Sequence, residues 1–428
     1  MALMDHAFHV TIMHCYFLSC SHFSECSMSK HFSKSFRSLF FLARAFLLTA
    51  TFYVSGVLNG DRLFAEECWV WFGTYSQGNT GSEGIYGATI HLESGAITKP
   101  ILAAKAVNPS FLALHPTRPL LYAVSEIADR DGMPTGGITA FFIDTATGML
   151  VRINDQPSGG GGPCYVSVDP SGKCILCANY GGGSSMCLGI ANNGSLEPVT
   201  PGGFIQHDGS SVDDARQKEP HAHCAIASPD SRYALVPDLG LDKVLVHKLD
   251  PAKAAIQKYS FGKVAPGSGP RHIMFSPDGG RCYVINEMRL TVTGFDYNAS
   301  TGDLREFQTL STLPAGEPIE GKGYSTAEVV VHPSGKFLYG SNRGHDTIAM
   351  YSIDPRSGKL SFLGVEPIQG KVPRNFAIDP TGRFLLAAGQ GSASVTVFRI
   401  DPVTGKLAFT GHTASVPAPV CVRFLKKL

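Results

Sequence analysis

The chain repeats two kinds of hairpin along its length, and this repetition constrains the fold more than any other feature. The first kind is an apolar strand, a turn of the HPxG or SPDG type and a second apolar strand. Proline sets φ early in such a turn, Asp or Ser bonds the backbone, and Gly takes a positive φ. Its six copies occupy residues 111–126, 164–180, 223–238, 272–287, 328–343 and 375–390.

The second kind of hairpin has a polar turn that precedes a Leu or Ile. Two hairpins make a four-stranded unit, and such units recurring at intervals of about 50 residues predict the blades of a β-propeller. A set of β-sandwiches is the alternative, but sandwiches do not repeat one four-stranded unit at a regular interval. The seven copies of this second turn lie at 93–97, 147–150, 193–196, 252–256, 301–304, 357–360 and 404–407.

Seven second hairpins and six first hairpins leave one blade incomplete. The C-terminal run 417–425 and the N-terminal run 69–75 are both strand-like, and their pairing would complete that blade and remove a free edge. The sequence therefore predicts an all-β fold over 66–428, a seven-bladed β-propeller with four-stranded blades whose ring is closed by the two terminal strands.

Residues 1–65 differ in composition from the repeats. Four basic residues precede the 14-residue apolar stretch 45–58, and the small residue Ala65 stands at a candidate cleavage site. This pattern is typical of a secretory signal, and the stretch is short for a bilayer span. We expect a periplasmic or secreted protein with no membrane segment in its mature form, and Met28 is an alternative start. A transit peptide, an uncleaved anchor or a cytoplasmic protein are the other outcomes.

Charge and cysteine usage exclude two classes of function. Lys and Arg total 36 and Asp and Glu total 35, without a basic stripe, which argues against a nucleic-acid partner. Cys174 and Cys177 form a CxxC pair within a strand-like run, where residues three apart point to opposite faces. We therefore predict buried apolar thiols, no metal site and no cofactor.

Polar residues interrupt the apolar strands at equivalent places in the repeats. In a propeller, the start of a blade's first strand and the end of its second strand lie on the same face of the ring. We therefore expect a concave ligand site at one mouth of the channel. The residues at these places are His221, His223, Arg271, His272, Glu328, Arg374 and Asn375 at first-strand starts, and Glu126, Asn179, Tyr180, Asn286, Glu287, Asn342, Arg343 and Gln390 at second-strand ends.

Several of these stretches together resemble the lactonase family of seven-bladed propellers, the 6-phosphogluconolactonase type, to which the carboxymuconate cyclases are related. The resemblance covers about residues 69–425. Its motifs are FGTYSQG with EGIY (72–86), GGPCYVSVDPSGKCILCANYGGGS (161–184), RQKEPHAH (216–223), GPRHIMFSPDGGRCYVINE (269–287), STAEVVVHPSGKFLYGSNRGHDTI (325–348) and VPRNFAIDPTGRFLLAAGQ (372–390).

The resemblance implies four catalytic residues, which are His223, Arg271, Glu287 and Arg343. Further substrate contacts are expected from His221, His272, Arg374, Asn286 and Gln390. The implied reaction is hydrolysis of a sugar lactone, 6-phosphogluconolactone to 6-phosphogluconate, by a monomer. Glu287 or His223 would accept a proton from water, while the arginines would stabilise the oxyanion or hold an anionic group.

Two other functions stay open at this point. A muconate-type cyclase or isomerase would use the same residues for proton abstraction, and a non-catalytic propeller would use the ring as a binding platform. An export segment also favours an unphosphorylated lactone, because sugar phosphates are mainly cytosolic. Turnover of lactones and muconates by the purified protein separates these possibilities.

Overall fold

The structure is a computed structural model that describes residues 67–427. Within that range, seven antiparallel sheets of four strands each form the blades of a propeller, and a single turn of 3₁₀ helix occupies Gln390–Ser392. The predicted all-β, seven-bladed fold is confirmed. The export segment 1–65 and the alternative start at Met28 lie outside the described residues.

The blades follow one another along the chain. The first three strands, which belong to the closing blade, are β1 (Glu67–Thr74), β2 (Gly84–His91) and β3 (Ile101–Lys105). Blade 1 contains β4 (Leu112–Leu114), β5 (Leu120–Ser125), β6 (Gly137–Ile143) and β7 (Leu150–Pro157). Blade 2 contains β8 (Pro163–Val168), β9 (Cys174–Asn179), β10 (Ser184–Gly189) and β11 (Phe204–Gln206). Blade 3 contains β12 (Ile226–Ala227), β13 (Tyr233–Asp238), β14 (Lys243–Asp250) and β15 (Ala255–Lys263).

Blades 4 to 6 have the same order, from the innermost strand outwards. Blade 4 contains β16 (Pro270–Phe275), β17 (Arg281–Asn286), β18 (Thr291–Tyr297) and β19 (Leu304–Ser311). Blade 5 contains β20 (Ser325–Val331), β21 (Phe337–Arg343), β22 (Thr347–Ile353) and β23 (Leu360–Pro367). Blade 6 contains β24 (Pro373–Ile378), β25 (Phe384–Gly389), β26 (Ser394–Ile400) and β27 (Leu407–Ser415).

The seventh blade is built from both ends of the described chain. Its innermost strand is the C-terminal β28 (Pro419–Lys426), which pairs with β1, and β2 and β3 complete the sheet. Val422 of β28 lies opposite Phe72 of β1, and both side chains are fully buried in one apolar cluster. The predicted closure of the ring by the two terminal strands is therefore confirmed.

Neighbouring blades are locked by a contact between an aromatic residue and the turn of the second hairpin. Tyr339 of β21 donates from its hydroxyl to the carbonyl oxygen of Gly405 in the next blade, at 2.7 Å. Gly405 has φ +70°, and a Cβ there would lie 2.3 Å from the ring of Phe337. Glycine is thus required both by the turn and by the close approach. The same contact joins Trp71 to Gly148, Tyr122 to Gly194 and Tyr283 to Gly358.

The CxxC pair lies on β9, as predicted. Both thiols are fully buried, with Cys174 in the apolar cluster on one side of the sheet and Cys177 in the cluster on the other side. They therefore face different blades, and the prediction of buried apolar thiols is confirmed. Within residues 67–427, no helix is both long enough and apolar enough to cross a membrane.

Replacing Val422 by Asp tests the seam of the ring, which is the pairing of β28 with β1. A carboxylate without a partner in that apolar cluster is expected to lower the free energy of unfolding by about 3 kcal/mol or more. Val403 is 83% exposed in a turn, so Val403→Asp is the matched control and should change stability by less than about 0.5 kcal/mol. Urea denaturation measures both variants, and equal effects would contradict a buried seam.

Candidate active site

Three of the innermost strands carry a β-bulge near their N-terminal end. The register of pairing shifts between Pro163 and Tyr165 in β8, between Pro270 and His272 in β16, and between Pro373 and Asn375 in β24. The residues in the bulges are Cys164, Arg271 and Arg374. Each follows a proline that begins the strand, where the missing N–H costs no ladder bond. Bulges re-aim side chains, and here they turn a thiol and two guanidinium groups towards the channel mouth.

A cavity of about 250 Å³ lies at that mouth. Five blades supply residues from the end of a second strand or the start of a first strand, as the repeats predict. The long segment between β11 and β12 of blades 2 and 3 brings in Arg216 and His223. The lining residues are Glu126, Cys164, Tyr180, Arg216, His223, Glu287, Arg343 and Arg374.

Glu287 is a carboxylate on the cavity wall that pairs with three arginines. Its Oε1 accepts a hydrogen bond from Arg216 Nη2 at 2.9 Å, and its Oε2 lies 3.0 Å from both Arg271 Nε and Arg343 Nη2. Burial alone would raise the pKa of Glu287, but Arg343, Arg271 and Arg216 together lower it to about 2. Glu287 is therefore a permanent carboxylate whose oxygens are engaged, which makes it a poor proton acceptor.

Arg271 and His272 lie beneath the cavity in a buried polar network. Arg271 Nη1 lies 3.2 Å from His272 Nε2, and His272 Nδ1 lies 2.9 Å from Glu328 Oε1. Glu328 in turn accepts a hydrogen bond from Asn375, whose side-chain oxygen accepts the backbone N–H of Val422 at 2.9 Å. Burial lowers the pKa of His272 to about 4, so its ring is a neutral link between inner strands.

His223 lines the cavity as a buried, neutral imidazole. Burial lowers its pKa well below the ordinary value, and the positive charges of Arg271 and Arg374 add to the effect. Its Nδ1 lies 3.5 Å from the sulfur of Cys164, and its ring packs edge-on against Tyr180. A neutral imidazole on the cavity wall is available to accept a proton, in contrast to Glu287.

Arg374 contributes a guanidinium group whose acidic neighbours, Glu126 and Glu287, lie beyond ion-pair distance. Its guanidinium carbon lies 5.4 Å from the centre of the Tyr75 ring, and within residues 67–427 it forms no ion pair. The nearby carboxylate of Glu126 instead accepts hydrogen bonds from Tyr75 at 3.0 Å and from Ser110. Three arginines and two glutamates line the cavity, which gives its wall an excess of positive charge and favours an anionic ligand.

The segment 207–225 places both Arg216 and His223, and two contacts hold it on blade 3. His207 Nδ1 pairs with Asp238 Oδ2 at 2.7 Å in a fully buried position, and Gln217 donates to the backbone of Leu239 at 2.8 Å. The regular strand β12 begins only at Ile226, but an isolated bridge between Ala222 and Asp238 and the hydrogen bond from His223 N–H to the Pro237 oxygen at 3.0 Å continue its pairing with β13. His223 therefore lies at the start of the innermost strand of blade 3, as predicted. The segment gains length because β11 and β12 are short.

Four of the five predicted substrate contacts do not line the cavity, and one of them, His272, lies beneath it. His221 stacks behind Tyr180 and bonds its backbone oxygen at 3.0 Å. Asn286 is fully buried and donates to Thr291 and Thr293 within its own blade, where the side chain supports the hairpin. Gln390 lies in the 3₁₀ turn, outside the cavity lining.

Four of the lining residues had no assigned role in the sequence prediction: Glu126, Cys164, Tyr180 and Arg216. Glu126 and Tyr180 do end second strands, so the repeat alone placed them at this mouth. Cys164 follows a Gly-Pro pair like the one before Arg271, which is a usable signal for a bulge. Arg216 has no such signal in the repeat, because its loop lies outside it; the family motif at 216–223, which begins with Arg216, is the one pointer to it.

Replacing Glu287 by Gln tests the charge balance of the site. The folded pKa lies below the ordinary value of 4.5, so the carboxylate stabilises the fold above pH 4.5 and loses this effect as pH falls towards 2. We expect Glu287→Gln to lower the free energy of unfolding by about 3 kcal/mol at pH 7, since it leaves guanidinium groups unpaired.

Denaturant titrations at several pH values measure this effect, and the difference from wild type should narrow below pH 4.5. Asp250→Asn is the matched control, because that carboxylate pairs with Lys253 at the surface, and it should leave stability almost unchanged. An equal difference at pH 7 and pH 3 would contradict the proposed charge balance.

Known proteins resemble the chain over nearly all of its described part. The model of the family described as "Lactonase, 7-bladed beta-propeller" matches residues 69–424. A 6-phosphogluconolactonase of Bacillus subtilis is 37% identical over 357 residues, which cover 83% of this chain and 98% of that protein. A 6-phosphogluconolactonase of Formosa agariphila is 34% identical over 278 residues, 64% of this chain and 76% of that protein.

A solved structure agrees with these sequence relatives. The periplasmic gluconolactonase of Pseudomonas aeruginosa superposes with a TM-score of 0.77 at 34% identity, over 84% of this chain and 99% of that one. The family match spans all seven blades and the whole cavity. The chain therefore belongs to the lactonase family of seven-bladed β-propellers.

Proposed function

We propose that this protein hydrolyses a sugar lactone, and that its substrate is 6-phosphogluconolactone, which it opens to 6-phosphogluconate. The observation that carries the choice of substrate is Arg374, a guanidinium group on the cavity wall without an ion-pair partner in residues 67–427. A phosphate ester would supply the missing negative charge and two oxygens for a bidentate contact. The names of the Bacillus and Formosa relatives support the same substrate.

The charge state of the site favours His223 as the base. Glu287 is held as a carboxylate by three arginines, whereas His223 is neutral and lines the cavity. In the free protein, Arg271 and Arg374 lower the pKa of His223. A bound phosphate would offset those charges and raise the basicity of the imidazole, so that the substrate itself would help to prepare its base.

The proposed reaction is a water attack on the lactone carbonyl carbon. His223 accepts one proton of the water as the new C–O bond forms, and Arg343 stabilises the negative charge on the carbonyl oxygen. The ring C–O bond then breaks, and the protonated imidazole returns the proton to the leaving alkoxide. The product is the open hydroxy acid, and its carboxyl group releases a proton to solvent.

Replacing Arg374 by Gln tests the phosphate contact. A lost charge-assisted contact should raise KM for 6-phosphogluconolactone about ten- to a hundredfold. KM for glucono-δ-lactone, which lacks the phosphate, should change much less. Arg399 stacks over Phe384 on an outer part of blade 6, so Arg399→Gln is the matched control. Equal effects on both lactones would place the phosphate elsewhere, and turnover of a muconate alone would support a cyclase.

Replacing His223 by Gln tests the base. We expect kcat to fall by about 10²-fold or more, because proton transfer from water loses its acceptor. In the wild type, kcat/KM should stay level to well below pH 6.5, since the depressed pKa keeps His223 unprotonated there. His412→Gln, on the outermost strand of blade 6, is the control. Unchanged kcat in His223→Gln would exclude this base.

The cellular location of the reaction is a further part of the proposal. We propose that residues 1–65 direct export and that the chain from 66 onwards is the mature enzyme. Fractionation of cells that express the full chain, with N-terminal sequencing of the product, tests this. A cytoplasmic protein with an intact N-terminus would contradict export. It would also fit a phosphorylated substrate better, because sugar phosphates are mainly cytosolic.

A further inference from the structure

Cys164 lies beside the imidazole of His223 on the cavity wall. Its sulfur is 3.5 Å from His223 Nδ1 and is also near three backbone carbonyl oxygens. These oxygens belong to Ala178 at 3.8 Å, Ala222 at 3.7 Å and His223 at 3.6 Å. The β-bulge after Pro163 turns the thiol into this position. Within residues 67–427, each hydrogen-bonding partner of the sulfur is therefore either a carbonyl oxygen or the imidazole nitrogen.

The protons around this sulfur can be assigned from the hydrogen-bonding capacity of each group. A thiol has one proton to donate and weak acceptor lone pairs, whereas a carbonyl oxygen only accepts. Three carbonyl oxygens are available to accept the S–H proton, and when one of them does so, a sulfur lone pair faces Nδ1 of His223. A hydrogen on Nδ1 makes that contact favourable. A neutral imidazole carries one such hydrogen, so Nε2 keeps its lone pair.

We infer that Cys164 is a positioning residue, which holds the imidazole of His223 in the tautomer that carries its hydrogen on Nδ1 and leaves the lone pair of Nε2 for a water in the cavity. The catalytic consequence rests on the proposed function, since a general base needs that lone pair. The tautomer itself is a property of the free protein and is measurable without any substrate.

A nucleophilic role for this thiol is the competing explanation of the same contact. A cysteine nucleophile acts as a thiolate, and its pKa is lowered by a nearby imidazolium or a helix N-terminus. Here burial raises the pKa of Cys164 well above its ordinary value, and His223 is neutral. The pair is thus a thiol and an imidazole rather than a thiolate and an imidazolium.

The tautomer is tested by long-range ¹H–¹⁵N correlation spectra of the whole protein labelled with ¹⁵N-histidine at pH 7.5. His223→Gln assigns the signals of His223 by their loss. We expect the Nδ1–H pattern in the wild type and in Cys164→Ser, whose hydroxyl can replace the thiol both as donor and as acceptor. Cys164→Ala should shift the ring towards the Nε2–H pattern. An Nε2–H wild type, or an unchanged spectrum in Cys164→Ala, overturns the inference.

Steady-state kinetics with 6-phosphogluconolactone test the consequence. Cys164→Ala should lower kcat about tenfold with KM almost unchanged, which is the size of effect expected when the partner that orients a functional histidine is lost. Cys164→Ser should recover most of the rate. Cys282→Ala is the matched control, because Cys282 is a fully buried thiol within the apolar core of blade 4.

The two experiments separate failure of this inference from failure of the proposed function. A full rate in Cys164→Ala, with turnover in the wild type, overturns the positioning role and leaves the lactonase activity intact. A loss of all activity in both Cys164→Ala and Cys164→Ser, with the wild-type tautomer retained, assigns the sulfur as nucleophile and also overturns it. If no lactone is turned over, the proposed function fails, and the spectra alone decide the tautomer.

Discussion

The ion pairs of Glu287 are the interaction on which the rest of the site depends. A buried guanidinium group is costly unless a carboxylate faces it. Glu287 pairs with three arginines at 2.9–3.0 Å, and two of these, Arg271 and Arg343, are largely buried. Without Glu287, both would be buried as unpaired cations. With it, the protein can place several guanidinium groups around one cavity.

The same arrangement divides the chemistry among the residues. Glu287 is too strongly held to exchange protons, so its role is to position the arginines. His223 is neutral because its burial, and then the positive charges of Arg271 and Arg374, disfavour the imidazolium. Under the proposed function, a bound anion would offset those positive charges and raise the basicity of His223.

The sequence predicts the scaffold of this site better than its details. The turn glycines and the apolar alternation of each hairpin follow from local rules, so the seven blades, their closure and the convergence of strand ends were predictable. The family resemblance supplied His223, Arg271, Glu287 and Arg343, and the structure brings these four together around one cavity and its floor.

The errors have a physical origin in how side chains leave a strand. Asn286 and Glu287 are adjacent in the chain, and successive side chains along a strand point in opposite directions. Asn286 therefore forms hydrogen bonds within its own blade, whereas Glu287 faces the cavity. Arg216 could not be placed, since a loop outside the repeat has no periodicity to interpret. Cys164 had no assigned role, because the only sign in the sequence of the bulge that turns it towards the cavity is a preceding proline.

The hydrogen bond from the backbone of Val422 to Asn375 has a consequence for the order in which the protein is made. It ties the strand that closes the ring to the network of Glu328, His272 and Arg271 beneath the cavity. That strand is the last one to leave the ribosome. A growing chain can therefore pack six blades while its polar network still lacks one member, and that network is complete only when β28 has been made.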